Sequence, residues 1–315
     1  MSEMVTRNGE KVNLRDISRR DKIWDSKKSK ADIVSLVYTK YGTSPRDENR
    51  ARRLKECAGF LRFGRSEDNK LHLVQAHFCR NWKSCPICQW RRSLMYKARF
   101  YSNMPNILMS YPDARYIFLT LTVRNCKIQE LRKTIQWMNQ AFNYLTRKSF
   151  FKKSFLGYIK NVEVTRAEDG KAHPHFHILL MAKESYFSGK NYLSKIKWQN
   201  LWRYYLKIDY DPIIDIRTPD TKKKIQENIK ELLKYPLKEA DMDIRTKWFY
   251  DYTEQVHKLR FISTGGILKN IMKDSEPTTD EELINVDEEH QKTDAIKELL
   301  SFKWYRKAKR YKRVF

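Results

Sequence analysis

Between Gly157 and Met181 the chain reads GYIKNVEVT, a turn carrying Glu168-Asp169-Gly170, and then HPHFHILLM. Two β-rich runs joined by so short a turn must pair as an antiparallel hairpin. Side chains alternate along a strand, so His173, His175 and His177 share one face while Phe176, Ile178 and Leu180 point to the core. A turn centred near Asp169 sets Glu163 opposite His175 and Thr165 opposite His173. Asn161, Glu163 and Thr165 alternate with Val162 and Val164, and their polar side is the histidine side. Imidazoles two residues apart lie roughly 6–7 Å from each other, near enough to share one ion. Glu163 is the candidate third ligand. Two imidazoles and a carboxylate, with positions left open, suit Mn²⁺ or Mg²⁺, although imidazole also suits Zn²⁺. Ordinary hydrogen-bonded histidines are the bland alternative, but three in alternation opposite a glutamate favour a metal site.

The flanking sequence supplies a sheet for this hairpin. Arg115 to Val123 (RYIFLTLTV) reads as a strand. Ile128, Leu131, Ile135, Met138, Phe142 and Leu145 recur at helical spacing and predict one amphipathic helix. A helix near Ser194 to Leu206, a strand near Pro212 to Ile216 and a helix from about Asp220 to Tyr235 complete the order. That alternation predicts an α+β fold, an antiparallel sheet core with helices packed on it. The expected organisation is a flexible basic and polar arm over 1–45 and a Cys-rich zinc-binding, DNA-contacting module over 46–105. A catalytic core then spans 106–245, and a helical extension, acidic then basic, spans 246–315.

Charge narrows the partner. Among 315 residues, 64 Lys and Arg face 38 Asp and Glu, a formal net charge of +26. Such an excess points to a polyanion, because bound cations release counterions from a phosphate backbone. No run approaches the roughly 18 consecutive apolar residues of a membrane span, and Met1 to Arg20 carries no apolar leader segment. The expected location is the cytoplasm. Five cysteines there argue against a disulfide framework. The spacing Cys79-x5-Cys85-x2-Cys88 has the tight pair of a zinc knuckle. Cys57 is the preferred fourth ligand and His77 the alternative. Arg91 and Arg92 follow at once and are candidate DNA contacts. Cys126 reads as a packed thiol.

The helix from Lys222 to Tyr235 turns Ile225, Ile229, Leu232 and Leu233 to the core and sets Glu231 and Tyr235 four residues apart on a neighbouring face. A phenol has a pKa of roughly 10 and needs a cation nearby to attack at neutral pH. Lys234 and Lys238 are available, and Pro236 disfavours the helical state for Tyr235. On local sequence alone a packing tyrosine is the simpler reading, since the chain has 18.

Three segments in order shift that balance: FLTLT at Phe118 to Thr122, HPHFH at His173 to His177, and ELLKYPLK at Glu231 to Lys238. Together they resemble the three motifs of the rolling-circle plasmid replication initiators of the HUH endonuclease superfamily, in their single-tyrosine branch. CRNWKSCPICQWRR at Cys79 to Arg92 and RFISTGGILK at Arg260 to Lys269 resemble that family's upstream cysteine and downstream glycine motifs. The resemblance implies an enzyme that nicks a plus-strand origin and stays joined to the 5′ phosphate through Tyr235. It implies His175 and His177 as metal ligands and Glu231 as the group that activates water for the terminating cut. Thr120 and Thr122 are expected to be structural. Origin DNA, single-stranded or as a hairpin, is the expected partner, with a host helicase and a second copy of the chain as further ones. Two alternatives stand beside this: a non-catalytic origin-binding regulator, and a relaxase or single-strand transposase with the same chemistry.

Overall fold

The protein is described by a computed structural model covering residues 12–219, 232, 244–271, 281–284 and 296–314. From the N-terminus come α1 (Leu14–Ile17), α2 (Lys22–Tyr41), α3 (Pro45–Glu56), β1 (Phe60–Arg65), β2 (Leu71–Ala76) and α4 (Pro86–Ser110). Then follow β3 (Arg115–Thr122), α5 (Leu131–Arg147), α6 (Ser149–Ser154), β4 (Phe155–Arg166), β5 (Ala172–Ala182), α7 (Lys195–Leu206) and β6 (Ile214–Arg217). Last are α8 (Lys247–Gln255), β7 (Ile262–Gly266), α9 (Glu281–Ile284), β8 (Glu298–Tyr305) and β9 (Arg310–Val314). The strands form two antiparallel sheets, ordered β2-β1-β8-β9 and β6-β3-β5-β4-β7. The fold is thus mixed helix and antiparallel sheet, as the sequence predicts. Two compact units result: Met1–Ala98 with Ile244–Tyr250 and Ser275–Phe315, and Arg99–Asp243 with Asp251–Asp274.

The second unit follows the sequence pattern closely. Its central hairpin closes through Gly170 at φ 78°, whose N–H donates to the Ala167 carbonyl at 2.9 Å. Glycine adopts that left-handed conformation without steric cost. Helix α5 buries Leu131, Ile135, Met138, Ala141, Phe142 and Leu145. Phe142 meets Phe176 of β5 edge-on at 6.2 Å between ring centres, so Phe176 and its same-face neighbours lie under α5. Each large apolar side chain buried this way contributes roughly 1.5–3 kcal/mol before chain entropy is counted. Lys160 of β4 is buried on that same side. Its ammonium donates to Asn139 Oδ1 and stands 4.1 Å from the centre of the Phe176 ring. Burial, helped by the charge of Arg260, depresses its pKa to about 7. The glycine motif has a steric cause. Gly266 pairs with Gly157 where β7 lies on β4, and a Cβ on Gly266 would collide with the Leu156 carbonyl and the Gly157 Cα.

The first unit departs from expectation in two ways. Much of the segment 1–45, expected to be a flexible arm, is ordered: α2 is a 20-residue helix that buries Trp24, Ala31, Val34, Val37 and Tyr38. Its pattern is disguised because charged groups share the buried face. Asp25 pairs with Arg15 at 2.7 Å and accepts the Tyr311 N–H at 3.0 Å, while Lys28 donates to the Lys55 carbonyl at 2.8 Å. Residues 298–314, expected within a separate helical extension, are instead strands: they form β8 and β9 of this unit's own sheet, and β8 pairs directly with β1. The acidic stretch Asp274 to Thr293 lies outside the described residues except for 281–284.

Candidate metal centre and the four-cysteine cluster

Register builds the candidate centre. Pairing of β4 with β5 sets Glu163 against His175, Asn161 against His177 and Thr165 against His173. On the other side of β5, Thr120 and Thr122 of β3 stand against His177 and His175. Phe176 faces α5, so the residues alternating with it face away. Glu163 Oε2 approaches His177 Nε2 to 2.8 Å and His175 Nε2 to 3.6 Å. One ligand atom from each of the three lies within 4.8 Å of the other two.

Electrostatics prepare this group to receive a cation. Burial, the largest single influence on Glu163, raises its pKa, but the two imidazoles beside it together outweigh that influence. The carboxyl is held well below the usual range, so Glu163 is an anion at neutral pH. Glu163 and His175 are buried, whereas the His177 side chain keeps 25% of its surface open. The donor set therefore fits a divalent ion with an open side. His173 stands apart: its Nδ1 is 2.6 Å from Asn125 Oδ1, and it does not join the three-residue group.

Two neighbouring contacts were not anticipated. Thr120 Oγ1 lies 3.2 Å from His177 Nδ1. Such a contact holds the ring by Nδ1 and leaves Nε2 turned to the Glu163 carboxylate. Thr120, expected from sequence to be structural, stands in register with His177. Asn161 donates its Nδ2 to the Leu232 carbonyl at 2.9 Å, with both residues buried. Nothing local in the sequence links Asn161 to a position 71 residues away. The expected nucleophile Tyr235 and its neighbours Glu231, Lys234 and Lys238 lie outside the described residues, and Leu232 alone represents that segment.

The second cluster assembles Cys57 from the end of α3, Cys79 after β2, and Cys85 and Cys88 at the start of α4. All four are buried free thiols, with Sγ–Sγ distances of 3.6 Å for Cys57–Cys88, Cys79–Cys88 and Cys85–Cys57. A tetrahedron with Zn–S bonds of about 2.3 Å has edges of about 3.8 Å, so this spacing fits a four-thiolate metal site. Burial pushes the Cys57 and Cys88 thiols up. Cys85, which burial also raises, is drawn below the ordinary range by hydrogen bonds from the other three. Bound together around a cation, all four would coordinate as thiolates, since a metal draws the proton from the thiol that ligates it. Cys57, not His77, completes the set, and Cys126 is not part of it.

Arg91 and Arg92, read from sequence as DNA contacts, serve the interior instead. Arg91 is 1% exposed, donates to the Leu283 and Ile284 carbonyls at 2.8 and 3.0 Å, and stacks on Trp24 and Trp90. Arg92 donates to the Tyr96 hydroxyl and lies over Trp82. Neither side chain is exposed in this structure.

In class, this is a strongly basic α+β protein with two separate groups that can bind metal, one closed by four thiols and one left open. More particularly, the chain belongs to the Replication protein family, whose sequence model matches residues 70–312. It is 36% identical over 259 residues to "Protein rep" of Streptococcus pneumoniae serotype 2, covering 81% of this chain and 80% of the relative. It is also 36% identical to "Protein rep" of Bacillus amyloliquefaciens, over 80% of this chain and 81% of the relative. "Protein rep" of Lentilactobacillus hilgardii is 30% identical over 92% of this chain and 95% of its own length. No solved structure gives a significant match. The family bears out the resemblance to plasmid rolling-circle replication initiators drawn from the motifs, and with it a role in initiating plasmid replication.

Proposed function

We propose that the protein nicks and rejoins one DNA strand at a plasmid origin, with Tyr235 as nucleophile. Glu163, His175 and His177 would hold a divalent cation, Mn²⁺ or Mg²⁺, which supplies Lewis-acid polarisation of the scissile phosphate. The Tyr235 phenol oxygen attacks phosphorus and its proton passes to solvent or a nearby base. The bond to the 3′ oxygen breaks, the 5′ phosphate stays on tyrosine, and the departing 3′ oxygen takes up a proton and primes synthesis. Lys234 and Lys238 offset the negative charge that builds up on the phosphate. Glu231 accepts a proton from the water that releases the strand at termination. Cys57, Cys79, Cys85 and Cys88 hold a structural zinc in this reading.

One observation carries the proposal: a carboxylate and two imidazoles with donor atoms within 4.8 Å, on paired strands of a DNA-replication family member. The hydrogen bond from Asn161, beside this centre, to Leu232, three residues before Tyr235, adds support. The test is nicking of supercoiled origin plasmid by wild type and Tyr235→Phe. Nicking by wild type alone is expected. Equal nicking by both removes Tyr235 from the role, and nicking by neither favours the origin-binding regulator.

A further inference from the structure

With Arg91 and Arg92 buried, the first unit's cations for DNA must lie elsewhere, and one groove gathers several. It has a volume of about 1010 Å³ and opens between the end of α3, β1 and β2, and the end of β8. Arg52 and Lys55 line it from α3, three residues apart on one helix face. Lys303 and Arg306 line it from β8 and the turn that follows. Arg306 is fixed in place, donating to the Lys55 carbonyl at 2.8 Å and pairing with Asp32 at 3.3 Å. Among the described residues the lining carries one carboxylate, Glu56, whose 3.5 Å contact with Arg52 joins side chains 53% and 65% exposed. An ion pair that open is weak and leaves Arg52 available. Phe60, also in the lining, leaves 37% of its surface to solvent.

We propose that this groove binds a segment of single-stranded DNA, with phosphates along Arg52, Lys55, Lys303 and Arg306 and a base stacked on Phe60. Several cations lining one groove together with a partly exposed ring are the combination that holds a single strand, because every base offers a face to the ring. A duplex keeps its base faces in its own stack and gains nothing from Phe60. The assignment rests on the reading that this protein acts on DNA, but not on Tyr235 or the Glu163 centre. It gives the unit that carries the four-cysteine cluster a direct task in holding the strand, beyond supporting its own fold.

Binding of the full chain to a labelled oligothymidylate of about ten nucleotides, a length within known single-strand site sizes, tests this without added divalent ion. It can therefore succeed or fail independently of cutting. Replacing both Lys55→Glu and Lys303→Glu is expected to weaken binding at least tenfold. The slope of log affinity against log salt should fall by about 1.4, two phosphates at about 0.7 each. Phe60→Ala should weaken binding roughly tenfold with no change of slope, and Phe60→Trp should restore it. On wild-type protein, which no substitution can unfold, photo-crosslinking to a 5-iodouracil oligonucleotide should label Phe60. Unchanged affinity and slope in the double variant, or a crosslink that lands outside the groove, would overturn the proposal. A duplex of equal length that binds as tightly, and loses as much in the variants, would overturn the single-strand assignment.

Discussion

Among the described residues, the two groups that could hold a metal ion are built by opposite strategies. The cysteine cluster takes one thiol from a helix end, one from the loop after a strand and two from a helix start, and buries all four. Every donor comes from the protein, so a bound metal has no place left for a substrate. The Glu163–His175–His177 group takes all three donors from one hairpin, and His177 remains partly open. Three donors and an open side leave room for water or phosphate. The first arrangement ties separate segments together, whereas the second sits on a sheet whose pairing already holds its donors in place.

The widest test of this contrast removes a thiol. A structural zinc is worth roughly 10–16 kcal/mol in zinc-finger peptides, as much as the whole stability of a typical domain. Cys88→Ser should lose zinc and the cooperative melting of the first unit, read by circular dichroism and elemental analysis. A variant that melts like wild type without metal would break the distinction. His175→Ala should do the reverse, leaving the melting temperature within a few degrees while nicking falls on the order of a hundred- to a thousandfold. His173→Ala, outside the group, should change nicking by less than about a factor of three, far below an effect of that size.

Smaller effects sharpen the open site. Asn161→Ala frees the Leu232 carbonyl that its amide now holds. If that bond sets where the nucleophile segment starts, kcat should fall roughly ten- to a hundredfold with KM unchanged, since small misplacements are costly. A change confined to thermal stability would make Asn161 merely structural. Thr120→Val should weaken metal binding by about 10- to 100-fold, as loss of a ligand-orienting contact does, and Thr120→Ser should restore it. Titration calorimetry with Mn²⁺ reads both.

The smallest effect lies under the sheet. The folded pKa of Lys160 is about 7, below its ordinary 10.5. Between those values the unfolded chain binds more protons, so stability must rise with pH across that window. Lys160→Met should lack this rise, seen as a narrowing difference between the two proteins in denaturant melts at pH 7 and pH 10. Parallel pH profiles would mean that Lys160 keeps its charge in the fold.

The open site was legible in sequence because one short turn fixes a register, and register alone sets Glu163 beside His175. The α5 stripe was legible for the same reason, being periodic and local. The first unit was not. Its sheet joins β1 to β8, with Arg62 opposite Ser301, 239 positions away, and periodicity carries no information about such pairings. Helix α2 was obscured because Asp25 and Lys28 are buried with partners contributed by distant segments. Arg91 misled for a related reason: an arginine reads as surface until tryptophans and carbonyls close around it.

The account depends most on the link between the open metal group and one phenol. Incubating the protein with a single-stranded origin oligonucleotide and Mn²⁺, then mapping the protein–DNA adduct by mass spectrometry, examines that link directly. The account predicts one 5′-phosphotyrosyl adduct, on Tyr235, that disappears in His175→Ala and without divalent ion. An adduct on any other residue, or one that forms equally well with the histidine removed, would contradict it.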